Sequence, residues 1–167
     1  IFSVEGLIDV SGAEGGSVEI AAPGGAVALT GTVAARGDAG DGGAVTVSGR
    51  DIVVAETARI EASGAAAGGF APIVGTERLA FFGAVDVSGG TGDGGFVDTS
   101  AAELTIGQTA SIDASSIEGA AGLWLIDPVD LTVRNGAPGG EGDIDATTIV
   151  DALEAGSNVT LDTAGAG

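Results

Sequence analysis

Five short stretches of this chain align residue for residue: LIDVSG (7–12), TVAARG (32–37), RIEASG (59–64), AVDVSG (84–89) and SIDASS (111–116). Their last positions, Gly12, Gly37, Gly64, Gly89 and Ser116, lie 25, 27, 25 and 27 residues apart, a period of about 26. A repeat of roughly 20–50 residues is the signature of a solenoid or array, in which each unit buries its apolar face only against the next. Two further apolar segments keep step with the first. Positions 33, 45 and 52, then 85, 97 and 104, then 112, 124 and 131 are all spaced 12 and 7 residues apart.

Within each segment apolar residues alternate with polar ones, the period-2 pattern of a strand with one buried face. The first strand supplies Ile8/Val10, Val33/Ala35, Ile60/Ala62, Val85/Val87 and Ile112/Ala114. The second supplies Val18/Ile20, Val45/Val47, Val97/Thr99 and Trp124/Ile126, and the third runs from Val27/Leu29 to Leu131/Val133. The expected fold is all-β: a parallel β-helix with three short strands per coil of about 25–27 residues. Residues 1–167 form a single segment, with regular coils over about 6–133. The 32 glycines punctuate these strands. Those at the corners answer a need for positive φ or for close backbone approach. The third period departs from the pattern. Pro72 favours an edge, bend or loop, so its second strand is expected to be irregular, with Phe70 or Ile73 filling the core.

The C-terminal stretch GDIDATTIVDALEAGSNVTLDT (142–163) reads differently. It predicts a helical turn over about 148–155, with Thr148 as N-cap, Asp151 three residues on and Gly156 as the stop. Ile149, Val150 and Leu153 would form its apolar face. A further strand follows at 158–162, with Val159 and Leu161 inward.

Charge narrows the partners. The chain has 24 acidic and 5 basic residues, a net charge of −19, and every basic residue is an arginine. Such a surface disfavours nucleic acid and anionic membranes and attracts cations. There is no His and no Cys, hence no imidazole base, thiol nucleophile or thiolate metal site. The chain opens already inside its repeat pattern, as a fragment or processed piece would.

Three sets of residues are candidates for chemistry. Outward on the first strands lie Asp9, Ala34, Glu61, Asp86 and Asp113, one per coil. Glu61, Asp86 and Asp113 would repel at about 5 Å and are a candidate Ca²⁺ ladder, since Ca²⁺ takes several oxygen ligands in flexible geometry. The plainer reading is a solvated acidic face, partly paired with Arg59. The GDGG corners at Asp41 and Asp93 miss the nine-residue spacing of calcium-binding toxin repeats and read as structural turns. Asp127 and Asp130 flank Pro128 and are a candidate carboxylate pair for glycoside chemistry, though both are expected to face solvent. Trp124 is expected in the core. Thr105 and Thr132, on adjacent third strands, make too short a Thr row for ice binding.

The segments GGFVDTSAAELTIGQTASIDAS (94–115), GLWLIDPVDLTV (122–133) and TIVDALEAGSNVTLDT (148–163) resemble filamentous haemagglutinin-like adhesins, large exoproteins of Gram-negative bacteria exported by two-partner secretion. The resemblance is best over 83–163 and looser over 1–82, and Trp-Leu-Ile-Asp-Pro-x-Asp is its most specific part. It implies a right-handed parallel β-helix, an outer-membrane transporter as partner, and a place outside the cell or at its surface. The Asn-Pro-Asn-Gly signals of the family's secretion domain are not visible, so an internal or C-terminal shaft section is expected. The family carries no general catalytic residues, and its host-cell, matrix or carbohydrate ligands differ member by member. The expectation is therefore a non-catalytic shaft of an adhesin or extracellular filament without a cofactor. It would be able to associate end to end or laterally, with Ile1–Phe2 and Val159–Leu161 as edge strands. The alternative is a carbohydrate-active β-helix enzyme.

Overall fold

The computed structural model describes residues 1–136 and 143–163. A short strand, β1 (Phe2–Val4), precedes the first coil. The coils then contain β2 (Leu7–Asp9) and β3 (Ser17–Leu29), β4 (Thr32–Ala34) and β5 (Ala44–Val54), β6 (Arg59–Glu61) and β7 (Phe70–Phe81). The fourth holds β8 (Ala84–Asp86), β9 (Phe96–Ala101) and β10 (Glu103–Ile106), and the fifth β11 (Ser111–Asp113) and β12 (Leu123–Pro128). They are followed by β13 (Thr132–Arg134), β14 (Asp143–Asp145), helix α1 (Ala146–Glu154) and β15 (Asn158–Leu161). All pairings between named strands are parallel and join one coil to the next or to the terminal segments. The molecule is a β-solenoid of about five turns.

The register is the one the repeat predicts. Ile8, Val33, Ile60, Val85 and Ile112 stand opposite one another along the first column of strands. Gly12, Gly37, Gly64, Gly89 and Ser116 are joined by consecutive single bridges at the corner. In the first three coils the second and third strands run together as one long strand. A shift in pairing between Ala22 and Ala26, and between Gly49 and Asp51, marks the bend. The core is a column of small aliphatic layers that also takes in Phe81 and Trp124, both fully buried. The Trp124 indole donates to Thr99 Oγ1 at 2.9 Å, so its one polar atom is satisfied inside.

The corner glycines do not use positive φ. Among the described residues only Gly24, Gly136 and Gly156 have it. The reason for glycine is contact between backbones. A Cβ on Gly64 would lie 2.0 Å from the Ala67 carbonyl, and one on Gly43 would lie 2.0 Å from the Gly16 carbonyl of the preceding coil. At Ser116, in the last corner, a hydroxyl replaces that approach by donating to Gly92 O (2.6 Å) and accepting the Gly119 amide (2.8 Å).

The structure corrects four expectations. The third coil's second strand keeps its neighbours' register rather than breaking at Pro72, and of Phe70 and Ile73 it is Ile73 that fills the core. Pro72 sits inside β7 opposite Asp98, Ala71 and Ile73 point inward, and Phe70 points out at 45 % exposure. The missing proline N–H falls where pairing to β5 lapses between Ala44 and Val47. Residues 131–133 do not form the fifth coil's third strand. Ile144 of β14 stands opposite Ile106 and is fully buried, and β13 is displaced one strand outward, leaving Val133 45 % exposed. Thr132 therefore pairs with Asp143 rather than stacking on Thr105. Helix α1 starts two residues early, with Asp145 as N-cap accepting the Thr147 amide at 2.7 Å. Its buried face is Thr148 and Ala152, while Val150 and Leu153 are exposed. The Gly156 stop holds, with φ +96°. In β15, Val159 is half-buried and Leu161 exposed.

Backbone contact at Gly43 yields a direct test. Gly43→Ala is expected to destabilise the fold by about 3 kcal/mol, because only backbone could yield. Gly6→Ala meets nothing within 4 Å and should stay within about 0.5 kcal/mol of the parent in urea melts.

Candidate functional site

Two outward faces carry the candidate residues. The first is the first-strand column. Asp9, Ala34, Glu61, Asp86 and Asp113 stand opposite one another in that order, as the repeat predicts. Two residues on, Ser11, Arg36, Ser63, Ser88 and Ser115 occupy the next outward positions. Each ladder aspartate turns along its own strand. Oδ1 of Asp9, Asp86 and Asp113 accepts the amide of Ser11, Ser88 and Ser115, each at 2.9 Å. Asp86 also takes the Ser88 hydroxyl at 2.6 Å. The Ser11 amide bond, with lesser help from Arg36, holds the Asp9 carboxyl below the usual carboxylate range.

Glu61 pairs with Arg36 at 2.6 Å, not with Arg59, which donates to the carbonyls of Glu56 and Ala58. Arg36 replaces serine in the one coil where alanine replaces the ladder acid, so a cation fills the gap in the row. Among the described residues, no three acidic side chains converge where a metal ion could be held. Glu61, Asp86 and Asp113 are thus a row of separately bonded carboxylates, one per coil. Beside them the corner forms a shallow groove of about 520 Å³, lined by Arg36, Asp38, Ser63, Ser88, Asp113 and Ser115 over a glycine floor.

The GDGG acids tie the corner loops together. Asp41 Oδ1 accepts the Ala67 amide of the next coil at 3.0 Å, and Asp93 Oδ1 accepts the Ala120 amide at 2.8 Å. Glu14 does the same for the Asp41 amide at 2.9 Å. These bonds give the acids a structural role at the turns.

The second face is the outward side of the middle column. Asp127 lies there on β12, opposite Ser100, while Asp130 is exposed beyond the strand, so the two do not share a face of the sheet. The neighbour of Asp127 is Asp98, one coil earlier and one pleat along, since Asp98 stands opposite Leu125. Partial burial, with a lesser contribution from Asp127, pushes the Asp98 carboxyl up, while the Ser100 hydroxyl bonded to it opposes the rise. Above this pair, Phe70 and Phe96 stack outward with ring centroids 5.5 Å apart. Asp98, Phe70 and Phe96 were not among the sequence candidates. The repeat carried the signal, because 70, 96 and 123 are spaced 26 and 27 residues apart, and taking Pro72 as a break concealed it.

Comparison with protein-family models, with curated proteins and with solved structures returns no match.

Two measurements follow. The native state holds the Asp98 proton more tightly than the unfolded chain, so stability should rise as pH falls toward the ordinary carboxylate pKa. Asp98→Asn should melt higher than the parent at neutral pH and lose that advantage in acid. For the ladder, Ca²⁺ and Mg²⁺ are expected to raise the melting temperature equally, by screening. A Ca²⁺-selective rise abolished by Asp86→Asn would establish a metal site instead.

Proposed function

We propose that this chain is a non-catalytic structural segment, a shaft, of a secreted bacterial surface adhesin or extracellular filament, exported through an outer-membrane two-partner-secretion transporter. The observation that supports the shaft is the register: core, corner and ladder positions keep the same neighbours through five coils. A body built this way is stiff along its axis, because bending it would break hydrogen bonds between every pair of coils. Export and surface location rest on the resemblance of residues 83–163 to filamentous haemagglutinin-like proteins, and the acidic surface is compatible with both.

Among the described residues the fifth coil is bordered differently from the coils before it. α1 packs against β11, where Ser157 Oγ accepts the Ala114 amide at 2.9 Å, so the last first-column strand meets a helix rather than an open edge. β15 extends only the middle column.

A second reading, a carbohydrate-active β-helix enzyme, has one observation on its side: a carboxyl with raised proton affinity beside another carboxylate, Asp98 near Asp127. Turnover of any polysaccharide, lost in Asp98→Asn and Asp127→Asn, would establish it.

The absence of cysteine permits a clean test of the shaft. Ser17 and Asn158 begin the first and last strands of the middle column, five coil steps apart. Spin labels on Ser17→Cys and Asn158→Cys should show one narrow distance distribution with an axial component of about 24 Å. A broad distribution would sink the shaft reading. Labelling of intact producing cells with an antibody to this chain tests the surface location.

A further inference from the structure

The outward face of the middle column is apolar and anionic together. Phe70 and Phe96 stack at 14° between ring planes, and Phe70 and Val74 are 45 % and 36 % exposed. Leu125 is half-buried beside Asp98. Phe70 and Phe96 stand side by side outside a core built largely of Val, Ile, Leu and Ala. Apolar side chains gathered on one outward face are the material of interaction sites.

None of the five arginines reaches the two aspartates. Arg36 binds Glu61, Arg50 binds Asp51, Arg78 binds Glu103 and Arg134 binds Asp143. Arg59 is held by backbone carbonyls.

The geometry points to this face, Phe70, Phe96, Val74 and Leu125 around Asp98 and Asp127, as a docking surface for a cationic polypeptide segment bearing apolar side chains. Charge complementarity selects that occupant. A second copy would bring another −19 charges to an acidic face. A sugar stacks on an open ring face, whereas these two rings turn one face each toward the other. A lysine or arginine would instead meet two carboxylates that have no cation of their own, and its apolar neighbours would cover the phenyl edges.

The test is fluorescence anisotropy at physiological ionic strength with a short dye-labelled peptide of lysines and leucines, against the same peptide with glutamates for lysines. The lysine peptide should bind and the glutamate peptide should not. Phe70→Ser, which leaves the charge unchanged, should weaken binding by about tenfold, the loss expected of a central anchor. Val74→Ser should weaken it less, and the melting curves of both variants should match the parent. Asp127→Asn should weaken binding more than Asp38→Asn, an equal charge change at the corner groove. Equal effects of those two, or parent-like binding by Phe70→Ser and Val74→Ser, would reduce the surface to diffuse charge and overturn the proposal. Binding of a neutral polysaccharide that depends on Phe70, with the peptide unaffected, would overturn it in favour of a sugar.

Discussion

Hydrogen bonding between parallel coils is the constraint on which everything else in this protein depends. Neighbouring strands lie about 4.8 Å apart, so each side chain sits directly above the same position of the preceding coil. Apolar positions become continuous columns, and a narrow core of Val, Ile, Leu and Ala is enough. Where the backbone turns, the same spacing brings the Gly16 carbonyl of the preceding coil within 2.0 Å of where a Cβ on Gly43 would stand, and the tight corner loop brings the Ala67 carbonyl within 2.0 Å of one on Gly64. Glycine is required there by distance rather than by dihedral angle.

The same stacking places like charges above one another, and the sequence relieves this locally. Asp9, Asp86 and Asp113 each bond an amide two residues on in their own chain. Arg36 enters the row beside Ala34 and takes Glu61. At the corners Glu14, Asp41 and Asp93 accept amides from the following coil, turning acidic loops into ties between turns. On the middle column Asp98 takes only the Ser100 hydroxyl, and no arginine pairs with Asp98 or Asp127.

Legibility in the sequence followed periodicity. The corner column from Gly12 to Ser116 and the ladder from Asp9 to Asp113 could be written down before any coordinates, because each depends only on counting along a period of about 26. The failures came where a local rule was set against that count. Pro72 reads as a break, yet bonds along the rest of β7 outweigh one absent donor, and Phe70 then falls on the outer face. Thr148 reads as an N-cap, yet Asp145 caps the helix and Thr148 is spent inside, donating to the Gly107 carbonyl at 2.9 Å. Asp98 is not legible in the sequence because its environment is made first by burial on the folded face and then by Asp127, 29 residues later in the chain.

The amino-acid sequence by itself determined the solenoid, its coil length, its corner and which residues share a row, since in-register stacking converts spacing along the chain into position in space. Only the tertiary structure decided which segment follows Ile106 in the third column. Residues 131–133 have the right spacing for a third strand, but Ile144 takes the place beside Ile106 and β13 moves outward. Period and pattern say which residues could fill a core position. Which of two apolar segments does so is settled by competition for a single edge, where burial of Ile144 and the packing of α1 over β11 are gained together.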